Sequence, residues 1–139
     1  MEVNCRLAHK QKEIMMNLVN AVNWFEIPVS DYERAISFYE GMLDVALKRE
    51  SMNDIDFAVF PADETAIAGA LIKVDFQQPS EHGCLVYLNV EGKMDVAIER
   101  ALAQGSIVFF PKTHIGENGY IAHISDSEGN KIGFHSMEG

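Results

Sequence analysis

One structural plan is written twice along this chain, and the repetition narrows the folds open to it. Residues 23–43, Asn-Trp-Phe-Glu-Ile-Pro-Val-Ser-Asp-Tyr-Glu-Arg-Ala-Ile-Ser-Phe-Tyr-Glu-Gly-Met-Leu, change period midway. Up to Val29 they are β-branched, aromatic and roughly alternating, which predicts a strand. Pro28 cannot donate to a ladder and belongs at that strand's end or on an edge. Ser30 and Asp31 are N-cap residues, and Glu33, three positions after Ser30, completes a capping-box pattern. Ala35, Ile36, Phe38, Tyr39, Met42 and Leu43 then recur at helical spacing and predict one buried helix face. Val45–Arg49, Ile55–Phe60 and Ala66–Val74 read as three strands, with turns at 51–54 and 61–64. Gly69 inside the last of them marks a bulge or a close approach to the backbone.

After a polar stretch at 77–83 the plan restarts. Cys84–Val90 predicts a strand and Met94–Gln104 a helix. Met94, Val96, Ala97, Ile98, Ala101 and Leu102 form its buried side, and Gly105 is its C-terminal cap. Ile107–Phe110 reads as a strand stopped by Pro111, followed by strands at Tyr120–Ser125 and Lys131–His135. Between these two, residues 126–130 make a tight hairpin in which Gly129 or Asn130 takes a positive φ. Trp24 lies 61 positions before Leu85, Gly69 lies 64 before Gly133, and Phe57–Asp63 aligns with Ile121–Ser127. Two copies of a strand–helix–strand–strand–strand module do not make a solenoid. They predict two small sheets facing a shared groove, where function would sit.

A chain of 139 residues that is 47% hydrophobic is one domain with a core of its own. Residues 1–21 read as an N-terminal extension, held against the body of the fold or a partner chain. Residues 22–136 form the domain, with repeats at 22–76 and 84–136. A net charge of −10 argues against a nucleic-acid partner and is compatible with a neutral or cationic small ligand. No apolar run is long enough to cross a bilayer, so no membrane partner is expected. The charged start, Met1–Lys12, lacks a signal-peptide apolar core, and a cytoplasmic location is expected. Cys5 and Cys84 are expected to be free thiols.

Two stretches carry a family resemblance: Glu-Ile-Pro-Val-Ser-Asp-x-x-Arg-Ala-x-x-Phe-Tyr at 26–39 and Asp-Ser-Glu-Gly-Asn-Lys-Ile-Gly-Phe-His at 126–135. Both resemble the vicinal oxygen chelate superfamily, which includes glyoxalase I, the extradiol dioxygenases and the bleomycin resistance proteins. The resemblance implies an α+β fold of two tandem βαβββ modules, a cupped half-barrel of mixed sheet with the helices outside. It also implies a homodimer. Metal-dependent members hold a divalent ion with His, Gln or Glu from the first and last strand of each module. Those positions fall here on Trp24, Leu85, Gly69 (to within one residue) and Gly133, and none of these side chains can donate to a cation. No metal and no other cofactor is therefore expected.

If the inward face of that family is kept, Trp24, Glu26, Tyr87, Asn89, Lys131 and His135 line the groove. Such a mixture suits a planar or amphipathic small organic ligand. Each residue also has a plainer reading. Trp24 is preferred as a core residue, Glu26 as the partner of Lys131, and His135 as a hydrogen-bonded strand histidine. His123 has no face fixed by alternation and is preferred as a satisfied core residue. His114 and Glu117 lie in a loop expected to hang over the groove mouth, most simply as solvated groups. No Ser-His-Asp order, Gly-x-Ser-x-Gly elbow, His-Glu-x-x-His or phosphate-binding loop occurs. The favoured expectation is metal-independent binding, as in the bleomycin resistance proteins. The alternative is a lyase, isomerase or dioxygenase, with Glu26 as catalytic base or with an atypical metal site drawn from Glu26, His114, Glu117 and His135.

Overall fold

The computed structural model describes residues 20–139; the extension apart from its last two residues, and with it Cys5, lies outside the described part. The described chain is α+β, two tandem βαβββ modules with one four-stranded mixed sheet each. In the first, β1 (Trp24–Pro28) leads through α1 (Tyr32–Leu43) to β2 (Lys48–Met52), β3 (Ile55–Val59) and β4 (Ala68–Ile72). In the second, β5 (Tyr87–Asn89), α2 (Met94–Ala103), β6 (Val108–His114), β7 (Tyr120–Ser125) and β8 (Lys131–Ser136) repeat the order. The sheets run β1-β4-β3-β2 and β5-β8-β7-β6, and in each the first and last strands of the module pair in parallel. Neither sheet closes, so β1 and β5 end their sheets as open edges.

Strand alternation sends one face of each sheet to the helices. Ile27 and Val29 of the first module, and Leu88, Val90, Ala122, Ile124 and Phe134 of the second, join one buried cluster with α1 and α2. In α1 all six residues of the expected stripe are buried. Only Met94, Ala97 and Ala101 are buried in α2, while Val96 and Leu102 are exposed and Ile98 is half-buried. Two of these three are alanines, so the buried face of α2 is narrow and its larger side chains lie at the margins. Gly105, at φ +94°, ends α2 as expected: its N–H bonds to Leu102 O and that of Ser106 to Ala101 O, both at 3.0 Å.

Several boundaries differ from the sequence reading. β2 begins at Lys48, because Asp44 takes a left-handed φ of 55° and the next residues carry Leu47 into the core. β2 and β3 are joined by Asn53 and Asp54 alone, both at positive φ, a two-residue hairpin shorter than the expected turn. β4 is confined to Ala68–Ile72 and β5 to three residues. β6 runs through Pro111 to His114 instead of stopping. It is an edge strand whose register shifts on either side of Phe110, and an edge with bulges tolerates the missing donor of a proline.

The capping box also differs. Asp31, at the N-cap, accepts from Arg34 N at 3.0 Å, while Glu33 turns outward to Arg49. The second anion at this helix start is Glu128, from the β7–β8 turn of the other module. Its fully buried carboxylate accepts from the backbone N–H of Ser30 (2.9 Å) and of Asp31 (2.7 Å), and from Arg34 Nε (2.7 Å). Burial alone would raise the pKa of Glu128, but the bonds from Arg34, the Asp31 backbone, Ser127 and the Ser30 backbone hold it down to about 2. Beside it, Asp126 accepts from the hydroxyl of fully buried Tyr39 at 2.6 Å. Gly129 takes the positive φ of this hairpin, at +91°. Asn130 reaches Pro28 O with its amide nitrogen and accepts from Ser80 N, so one turn grips β1, α1 and the linker.

Candidate functional site

A cleft of about 820 Å³ opens between the free edges of β1 and β5. One wall is Trp24, Phe25 and Glu26; the other is the 84–89 segment, including Leu85, Tyr87 and Asn89. Its floor reaches Leu43 and Val45, where α1 ends, and its rim holds Pro61 and Ile67. The walls are mostly apolar. Among the described residues lining it, Glu26 is the single charged side chain. Cys84, an exposed free thiol, stands at the same wall.

Four of the six expected groove residues therefore meet here: Trp24, Glu26, Tyr87 and Asn89. Trp24 is 45% exposed and is no core residue. Its Nε1–H donates to Glu26 Oε2 at 3.3 Å, two positions along the same strand face. Glu26 does not pair with Lys131. It stands exposed, so the cost of burying an unpaired charge, which motivated that pairing, does not arise.

Lys131 and His135 share the outward face of β8 with Gly133 but do not line the cleft. The Lys131 ammonium lies 5.1 Å from the centre of the Phe109 ring. His135 Nε2 meets Asn118 O at 2.7 Å, the hydrogen-bonded strand histidine its sequence suggested. His114 closes β6 instead of lying in a loop, and rests on the Tyr120 ring at 4.9 Å. Glu117 sits in the short 3-10 turn Gly116–Asn118, and neither residue lines the cleft.

His123 is the residue sequence reasoning placed wrongly. Ala122 and Ile124 on either side of it are both fully buried, so alternation turns His123 to the opposite, open face. There its Nε2 lies 2.8 Å from the Tyr87 hydroxyl. Phe110, its partner across the ladder, packs its ring 5.2 Å from the imidazole, and the Tyr87 ring lies 5.6 Å away on the other side. Burial and the nearby Lys131 charge both lower the pKa of His123, which keeps the ring neutral at pH 7. The alternating apolar pattern of 120–124 was the signal that could have found it.

The same alternation moves one of the four expected metal positions. Phe25 stands opposite Gly69 and Glu26 opposite Ala70, so Ala70 shares the open face with Trp24 while Gly69 lies under the Phe25 ring on the helix side. Trp24, Ala70, Leu85 and Gly133 offer no donor atom. The fourth position is also filled: a Cβ on Gly133 would come within 2.5 Å of the Tyr87 ring. Among the described residues no three His, Cys, Asp or Glu side chains stand close enough together to share an ion. The residues present do not fit the metal centre that the resemblance implies.

The chain's likeness to known proteins agrees with this architecture. The model of the Glyoxalase/Bleomycin resistance protein/Dioxygenase superfamily matches residues 21–134. No curated protein matches the sequence. Among solved structures, a glyoxylase/bleomycin resistance protein/dioxygenase domain from Frankia sp. EAN1pec has a TM-score of 0.64 at 18% identity, covering 86% of this chain and 98% of that one. TnmS3, an antibiotic binding protein from Streptomyces sp. CB03234, has a TM-score of 0.59 at 24% identity, with coverage of 86% and 98%. A superfamily member from Sphaerobacter thermophilus DSM 20745 reaches 0.61 at 20% identity, with coverage of 85% and 98%. At these identities the structures show a shared fold, and the family model goes further: the chain belongs to the glyoxalase/bleomycin resistance protein/dioxygenase superfamily.

Proposed function

We propose that this protein binds a small, flat organic molecule carrying a basic nitrogen in the cleft between its two modules, without a metal ion. The observation that carries the reading is the composition of that cleft. Trp24 and Tyr87 stand at an apolar hollow whose single lining charge, among the described residues, is the Glu26 carboxylate. Apolar walls reward burial of a ring system, and one accessible carboxylate selects a cation over an anion. An antibiotic binding protein among the structural neighbours supports the same class of role.

Trp24 is the only tryptophan of the chain and stands in the cleft, so binding can be read directly. Titration with 1-pyrenemethylamine should quench indole emission to saturation. Glu26→Gln should weaken that binding about threefold, the size of an exposed ion pair. Emission that does not change on titration would overturn the reading. Elemental analysis after dialysis should find Zn, Ni, Mn and Fe well below one per chain, and a stoichiometric ion would oppose metal independence.

A second reading keeps the same cleft but makes Glu26 a general base in a lyase or isomerase, since its carboxylate is open to a guest. Glu26→Gln would then abolish turnover while leaving binding largely intact. We further propose a cytoplasmic homodimer. The outer edge of the first sheet, the fully exposed strand β2, supplies surface for pairing away from the cleft. Light scattering should give twice the 15.5 kDa chain mass.

A further inference from the structure

We propose that the cleft is regulated from within the chain: residues 1–19 are its tethered occupant, and a guest binds by displacing them. The inference rests on the reading of the cleft as a binding site and adds a control over it.

Attachment is the first argument. The described chain begins at the cleft itself: Val22, two positions after Asn20, belongs to its lining and is 52% exposed, and β1 follows at Trp24. Residues 1–19 are therefore joined at the mouth. A tether this short holds an occupant at an effective concentration in roughly the millimolar range. Nineteen residues span about 28 Å as a helix and about 60 Å when extended. Either length is ample for a cleft of about 820 Å³.

Pattern and charge agree with it. Leu7, Ile14, Met15 and Leu18 recur at helical spacing, and that spacing predicts one apolar stripe. The cleft presents Phe25, Ile67, Leu85 and Val86, a groove of the kind that takes the apolar face of an amphipathic segment. The segment holds three of the eleven basic residues of the chain, Arg6, Lys10 and Lys12, and two of the twenty-one acidic ones, Glu2 and Glu13. It thus carries +1, and the other 120 residues carry −11. That field attracts the segment and repels a second copy of the acidic body as occupant. Glu26, the one lining charge among the described residues, stands exposed to meet a lysine or arginine. A segment in place about nine-tenths of the time would cut the apparent affinity for a guest about tenfold.

The test spoils the stripe in the full chain with the pair Ile14→Glu and Leu18→Glu. The double variant should bind 1-pyrenemethylamine about tenfold more tightly than the parent, read by Trp24 quenching. A second readout uses Cys84, the exposed thiol at the cleft wall. With Cys5→Ser in both proteins it is the only cysteine, and N-ethylmaleimide should label it severalfold faster in the stripe variant. Should the glutamate pair fail to fold by circular dichroism, Ile14→Ser with Leu18→Ser makes the same comparison. Equal guest affinity in parent and variant would overturn the inference and leave the cleft reading standing. If the amine binds to neither protein, the cleft reading falls, and equal labelling rates would then remove the segment from the cleft as well. Protection of Cys84 that grows with protein concentration would also overturn the inference, because the occupant would then come from a second copy.

Discussion

Asp126→Ala should lower the free energy of unfolding by about 3–5 kcal/mol, enough to bring a marginally stable domain close to its folding threshold. Four donors converge on this nearly buried carboxylate: the Tyr39 hydroxyl at 2.6 Å, the N–H groups of Glu128 and Asn130 at 2.8 Å each, and the Asn130 side-chain amide at 2.9 Å. Removing the acceptor leaves the fully buried Tyr39 hydroxyl with no replacement and frees the turn that grips β1. Tyr39→Phe makes the contrast. It deletes one donor and leaves Asp126 three others, so it should cost only about 1–2 kcal/mol. Urea unfolding of the two variants measures the difference. Equal losses, or a loss under about 1 kcal/mol for Asp126→Ala, would mean the turn does not brace the modules as argued.

Glu128 gives the second large effect, and it depends on pH. Its pKa is held at about 2 in the folded protein, against an ordinary value of 4.5. The stability it contributes is therefore complete above about pH 4.5 and is lost as the pH falls toward 2, because the unfolded chain takes up the proton first. A shift of this size corresponds to about 3 kcal/mol at most. Arg34 is half exposed, and screening brings the expected contribution to about 1–3 kcal/mol. Glu128→Gln should thus be less stable than the parent by that amount at pH 7, with the gap closing between pH 4.5 and 2. A gap of constant size across that range would show that the charge of Glu128 is not what seats α1.

The strand–turn–helix unit at 24–43 was legible from the sequence because each local signal agreed with its tertiary role. The β-rich run ended at a proline, Asp31 capped the helix, and all six apolar positions were buried. The second helix was less legible, since its apolar count exceeded its narrow buried face, two of whose three residues are alanines. Strand ends failed where pairing decided them: β5 is short because its ladder with β8 has only three pairs, and β6 continues past Pro111 because an edge tolerates the missing donor. Within the site, alternation grouped Trp24, Glu26, Tyr87 and Asn89, which meet at one cleft, though Phe25 and Leu88 of the opposite strand faces line it too. It could not show that the Tyr87 ring would cross to β7 or that Lys131 would turn to Phe109, for those contacts depend on which neighbour lacks a side chain. The Glu128 brace spans 94 residues to Arg34, and no local pattern announces it.

That brace runs in one direction. Lys93, at the start of α2, gives no side-chain cap, and among the described residues no carboxylate does for α2 what Glu128 does for α1. The two repeats share a backbone plan but are not interchangeable parts. A protein made of two first halves would start its helices without the anion that Glu128 provides, whereas the second half carries that anion for its neighbour and not for itself. The two modules match in the order of their strands and differ in the side chains that hold them together.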